Sequence, residues 1–151
     1  MRLFILFIVS ISPFEVFGQA EDIVLSINPD SIQLIHSKQE IKRKTFNSIQ
    51  KIAGYGLNYD NIVNPGQEFN TTDIVVSSPR SRLVVAIKTK NTWIILFEWG
   101  SYYGILTTCM VAVKNNNKYE IFETIDKIKK EDELVGRIKT KNLIVRRTGK
   151  K

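Results

Sequence analysis

Few side chains in this sequence are equipped for chemistry. His36 is the only histidine and Cys109 the only cysteine, so no two-histidine metal or acid–base pair can form within one chain. His36 stands just ahead of a helix signal, the place of a polar loop residue, and its one chemical use would be as a lone general base. Cys109 lies between Thr108 and Met110 in an apolar run. A nucleophilic thiol wants electropositive, partly exposed surroundings, and a strand thiol among apolar neighbours is inert. Glu98 ends another apolar run, where a salt bridge to Arg80 or Arg82 is its expected use. Gly54-Tyr55-Gly56 follows a helix pattern rather than a strand, the wrong order for a phosphate-binding loop. These residues assign no catalytic side chain, no metal site and no cofactor.

Binding chemistry is better represented. Glu98-Trp99-Gly100-Ser101-Tyr102-Tyr103-Gly104 places three aromatic residues in a glycine-flanked turn between two apolar runs. Tyr and Trp offer large contact area at small entropic cost, and binding residues gather on loops held by rigid elements. Trp99, Tyr102, Tyr103 and Arg82 are therefore the candidate ligand-binding residues. The alternative is a wide turn whose aromatics fold back on the sheet.

Charge supplies a second candidate. The formal net charge is +7, and the segment from Arg137 to Lys151 holds seven basic residues and no acid. The remainder of the chain balances to zero. Arg137, Lys139, Lys141, Arg146 and Arg147 are the candidate anion-binding residues, suited to an anionic surface or an envelope component. Nucleic acid is the less favoured partner, because no aromatic residue lies within the strip to stack a base. The plainer reading is a solvated strand edge, which lysines protect from aggregation.

The elements that must position these residues follow from periodicity. Asp22–Ile27 reads as a strand and Asn28-Pro29-Asp30-Ser31 as a turn; Ser31–His36 fits a strand or a short helix. Ser37 with Glu40 forms a capping-box pattern ahead of a helix through Ala53, with Ile41, Phe46, Ile49, Ile52 and Ala53 on one stripe and Gly54 and Gly56 as its stop. Leu57–Thr72 reads as a loop anchored by Tyr55 and Tyr59, with Asn70-Thr71-Thr72 exposed. Asp73–Ser77, Ser81–Thr89, Thr92–Trp99, Gly104–Val113, Tyr119–Phe122 and Asn142–Arg147 read as strands, and Thr124–Leu134 as a charged, moderately helical stretch with Ile125 and Ile128 inward.

Within the hairpin around Lys90-Asn91, strict alternation puts Leu83, Val85, Ile87, Ile94, Leu96 and Glu98 on one face. That face suits the Phe46 helix. The other face then carries Arg82, Val84, Ala86 and Lys88 with Trp93, Ile95, Phe97 and Trp99, setting Lys88 beside Trp93 and Arg82 beside Trp99 for cation–π contact. Thr124–Leu134 or the Leu57 loop is the expected cover of that second face.

The sequence thus predicts the α+β class, an antiparallel meander sheet of about five to seven strands packed by one amphipathic helix. Residues 21–151 form a single domain with the basic strip 137–151 at its end, behind residues 1–20 as an N-terminal signal peptide. In that leader Arg2 precedes the apolar run Leu3–Ser12, Pro13 breaks it, and the small residues Gly18 and Ala20 sit at the exit. The run is about half the length a membrane span needs, although an uncleaved anchor is the alternative. A composition of 43% hydrophobic and 25% charged residues supports a core without disulfides, as suits a bacterial periplasm. The expected function is that of an exported (periplasmic or secreted), non-enzymatic binding module. Its rivals are an exported hydrolase or nuclease using His36 and Glu98, and an envelope-associated protein held to anionic surfaces by its basic C-terminus. Intact-mass measurement of exported protein is expected to give a chain beginning near Glu21; a membrane-bound species retaining Met1–Ala20 would overturn the leader.

Overall fold

Runs of β-branched and aromatic residues joined by short polar turns are the pattern of antiparallel neighbours, and they dominate the architecture. The computed structural model describes residues 21–53, 58–72 and 78–148. The proposed leader, Gly54–Leu57, the expected strand Asp73–Ser77 and Gly149–Lys151 lie outside it. The strands are β1 (Asp22–Leu25), β2 (Gln33–Ile35), β3 (Ile62–Val63), β4 (Ser81–Lys88), β5 (Thr92–Ser101), β6 (Gly104–Asn115), β7 (Lys118–Thr124) and β8 (Leu143–Arg147). The helices are α1 (Arg43–Ala53) and α2 (Glu131–Lys139). One open sheet runs in the order β1-β8-β7-β6-β5-β4-β2, with the short β3 lying parallel to β4. All the other pairings are antiparallel, so the α+β meander holds.

Two helices cover the sheet where one was expected, and they stand on exchanged faces. Phe46 and Ile49 of α1 pack with Leu83, Ala86, Trp93, Ile95, Phe97, Met110 and Ala112. Val85, Ile87, Ile94 and Leu96 face the other way, against Leu134 and Ile138 of α2 and Ile128 before it. The aromatic face is thus closed by α1 together with Ile62 and Tyr59 of the Leu57–Thr72 segment, one of the two expected covers, and not by Thr124–Leu134.

A bulge alters the far end of the β4–β5 pairing. From Lys88↔Trp93 to Val85↔Leu96 the pairing follows the expected register, but Val84 is skipped, and Leu83 pairs with Phe97 and Arg82 with Glu98. An extra residue on one strand reverses the side of everything beyond it. Leu83 therefore joins the α1 face and Arg82 leaves Trp99. Lys88 keeps its expected neighbour, its Nζ 5.6 Å from the Trp93 ring centroid.

Local boundaries shift for similar tertiary reasons. Ser37 makes no capping bond; a short 3-10 turn at Lys38–Glu40 precedes extended Ile41, which is fully buried, and α1 starts only at Arg43. Driving Ile41 into the core outweighs the hydrogen bonds of a capping box. Tyr59 anchors the next connection as expected, meeting Phe46 edge-on with ring centroids 5.5 Å apart and donating from its hydroxyl to the Lys38 carbonyl (3.1 Å). Of the expected stripe, Ile52 is exposed, and Ile125 also points outward while Ile128 is buried.

Phe46→Ala is expected to cost about 3–5 kcal/mol, the range for truncating a fully buried aromatic ring. Ile52→Ala, on the expected stripe but outside the core, is expected to change stability by under about 1 kcal/mol. Urea denaturation of the two variants checks the orientation of α1.

Candidate functional site: the β5–β6 hairpin tip

β5 and β6 run ten and twelve residues, against eight in β4 and seven in β7. The pair consequently extends past its neighbours. Ser81↔Trp99 is the last pair with β4, and β7 follows β6 only as far as Met110↔Glu123. Beyond that point Thr124 stays with β8 opposite Val145, and the Ile125 amide donates to the Ile144 carbonyl (3.1 Å). The stretch Gly104–Cys109 pairs with β5 alone among the described strands.

The base of this projection is held tightly. A Cβ on Gly100 would stand 2.3 Å from the Asn70 carbonyl oxygen and 2.7 Å from Thr71 Cα, so only glycine lets the Asn70–Thr71 backbone cross there. Trp99 Nε1 donates to Thr108 Oγ1 across the hairpin (3.1 Å). At the end, Ser101 Oγ donates to the Gly104 carbonyl (2.8 Å) and accepts from the Tyr103 amide (3.2 Å). Gly104 at φ +100° closes the turn, the role a glycine bulge plays in hairpins.

This framework presents the aromatic residues singled out from the sequence. Tyr102 is 80% and Tyr103 88% exposed, their rings edge to face with centroids 5.4 Å apart. Trp99 is 37% exposed, and Ile105 and Leu106 beside it are also open. Arg82 is not part of the tip. Its Nε and Nη2 donate to one oxygen of Glu98 at 2.9 and 2.6 Å, and its guanidinium lies 4.8 Å from the Phe69 ring centroid. Glu98 thus has the Arg82 partner expected of it.

The other candidates are dispersed. His36 Nε2 meets Glu131 Oε2 at 2.8 Å, both groups part-exposed, so His36 and Glu98 each have a different partner. Arg137, Arg146 and Arg147 reach Asp126 (2.9 Å), Asp22 (2.9 Å) and Glu120 (2.6 Å). These acids come from neighbouring segments, which a count along the C-terminal strip alone does not include. Lys139 and Lys141 are exposed at the end of α2. Among the described residues no three of His, Cys, Asp and Glu gather to hold a metal, and no helix is long and apolar enough to cross a membrane.

Where β7 leaves β6, a small cleft of about 130 Å³ opens between Thr107–Cys109 and Glu123–Ile128. Sequence reading missed it, because the parting of two strands leaves no compositional mark. Partial burial raises the Glu123 carboxyl above its usual range. Burial pushes the Cys109 thiol up from an ordinary 9.0 to about 12, offset in part by a hydrogen bond with Thr124. A neutral, buried thiol is a poor nucleophile. Unfolding would let the thiol ionise at its ordinary pKa, so this group's contribution to stability is complete below pH 9 and lost as pH rises toward 12. Cys109 is expected to resist a disulfide-exchange reagent at mildly alkaline pH in the folded chain and to react promptly in denaturant; fast labelling of the folded chain would contradict this burial. No family model, curated protein or solved structure matches this chain, and the functional reading rests on its own geometry.

Proposed function

We propose that this chain is an exported, non-enzymatic binding module that engages its ligand through the tip of the β5–β6 hairpin. The observation that carries the reading is the near-complete exposure of Tyr102 and Tyr103 on a turn fixed by Ser101 and Gly104. Large aromatic rings held outward on a rigid frame supply contact area with little ordering cost. Trp99, Ile105 and Leu106 extend the same surface down both faces of the hairpin. Export is supported by the Met1–Ala20 pattern.

The rivals are less well supported. A hydrolytic centre needs an acid–base pair free to act on substrate, yet His36 is held by Glu131 and Glu98 by Arg82. Binding to anionic surfaces through the C-terminus is weakened by the carboxylates that partner Arg137, Arg146 and Arg147.

Full-length chain and a Tyr102→Ala/Tyr103→Ala variant, compared on glycan and peptide arrays, test the reading. Aromatic anchors at the centre of an interface are each worth about 2 kcal/mol or more, so signals above background are expected to fall about tenfold or further in the variant. Its melting temperature is expected to stay within a few degrees, because the rings contact mainly solvent and each other. Signals that survive the double substitution, or turnover of an arrayed glycan, would overturn the proposal.

A further inference from the structure

We infer that two copies of this chain pair edge to edge through β6, with Leu106 of one copy facing Leu106 of the other in an antiparallel, two-fold arrangement. The inference rests on the reading of the hairpin tip as a contact surface and names a second copy as its occupant. Four features of the edge point to it.

First, Gly104–Cys109 is an edge six residues long whose sequence, Gly-Ile-Leu-Thr-Thr-Cys, contains no charge and no proline. Natural sheets protect exposed edges with lysine, proline or very short strands, and none of these is present. The other outer strands with open apolar residues are short: β2, with Leu34, is three residues long, and β1 is four residues long and begins at Asp22, which is paired with Arg146.

Second, the edge is compatible with itself. Antiparallel pairing across a two-fold axis normal to the sheet sets Leu106 against Leu106, Ile105 against Thr107 and Gly104 against Thr108 of the second copy. Every pair then joins residues on the same face, which the alternation of a strand requires. Leu106 shares its face with Trp99, so the two leucines meet between two tryptophans.

Third, the edge carries a projection and a recess at matching distances from its centre. Tyr103 lies three residues to one side of Leu106, and Cys109, beside the cleft, lies three residues to the other. In the same register Tyr103 of one copy arrives opposite Cys109 of the second copy, where β7 has turned away from β6.

Fourth, the area suits a weak, concentration-dependent pair. With a full aromatic side chain at about 150–250 Å², Tyr102 and Tyr103 hold roughly 300 Å² in solvent, and the part-exposed Trp99, Ile105 and Leu106 add to it. Each copy thus offers less than the roughly 800 Å² per partner of a standard interface, within the range of transient complexes.

Sedimentation of the purified full chain from micromolar to sub-millimolar concentration is expected to show a monomer–dimer equilibrium. Leu106→Lys sets two like charges against each other across the axis and is expected to weaken dimerisation by roughly tenfold or more, with the melting curve of the monomer unchanged. Leu106→Cys is expected to cross-link two copies on mild oxidation, because directly opposed antiparallel residues meet disulfide geometry. Ile23→Cys, equally open on β1, is expected not to cross-link. Cysteine cross-linking also decides the matter should the lysine variant fail to fold. A chain monomeric throughout, a dimer indifferent to Leu106→Lys, or equal cross-linking at Ile23→Cys would each overturn edge pairing. A monomeric chain that still loses array binding on substitution of both tyrosines would refute the dimer and leave the contact surface standing.

Discussion

β5 is buried on both faces, and the rest of the fold answers to that constraint. Thr92–Phe97 has no polar side chain after Thr92; Trp93, Ile95 and Phe97 point to one side, Ile94 and Leu96 to the other. A half-buried antiparallel strand alternates apolar with polar residues and needs cover on one side, whereas a continuous apolar run needs two layers. Each large side chain left in water would forfeit roughly 1.5–3 kcal/mol, so a single helix could not have closed this sheet. α1 closes the Trp93 face with Phe46 and Ile49, and α2 closes the Ile94 face with Leu134 and Ile138. β4 and β6 flank β5 and share its two-sided burial over Val85–Ile87 and Cys109–Ala112.

The same constraint separates what was legible in the sequence from what was not. The hairpins could be read, because Thr92–Trp99 and Gly104–Val113 are rich in strand formers and their turns are short and polar. At Asn116 and Asn117 both residues take positive φ, the backbone of a tight hairpin turn for which asparagine is suited. The two faces were read correctly over Val85–Ile87 and Trp93–Phe97, but the helix covering each face, and the side taken by Leu83 and Arg82, could not be read. Alternation counts from one end of a strand, and Val84, an ordinary β-branched residue, gives no sign that it is skipped. The capping box at Ser37 and Glu40 failed because local hydrogen bonding is weighed against the burial of Ile41, a comparison that requires the tertiary structure. β3, two residues long, is below the length at which any period can be seen.

The candidate site was legible in its residues and hidden in its setting. Glycine-flanked aromatics at Trp99–Gly104 were recognisable as a turn, with exposure and folding back on the sheet both open, and the structure holds Tyr102 and Tyr103 in solvent. Arg82 was misplaced with them, since the Val84 bulge moves it to the Glu98 side. The basic C-terminus shows the opposite error. Seven charges in a row of fifteen residues look unopposed along the chain, yet β1 and β7 bring Asp22 and Glu120 across to Arg146 and Arg147. Charge counted along a strand says little until its neighbours in the sheet are known.

The length of β6 has a different status from its central part. Met110–Asn115 is needed to cover β5 and carry β7, but Gly104–Thr108 lies past the last pairing with β7 and contributes no side chain to either buried core. A hairpin closed nearer to Phe97 would keep the buried core and avoid exposing Trp99, Ile105, Leu106 and two tyrosines. The chain instead continues for two further turns of the pleat and stiffens the extension at Gly100, Ser101 and Thr108. Rigidity in an exposed apolar projection does little for folding stability, because the ordered residues lose entropy without gaining burial. It is useful to a surface that must meet a partner with its side chains already placed. The proposed contact surface gives the extension a use that surplus sheet would lack.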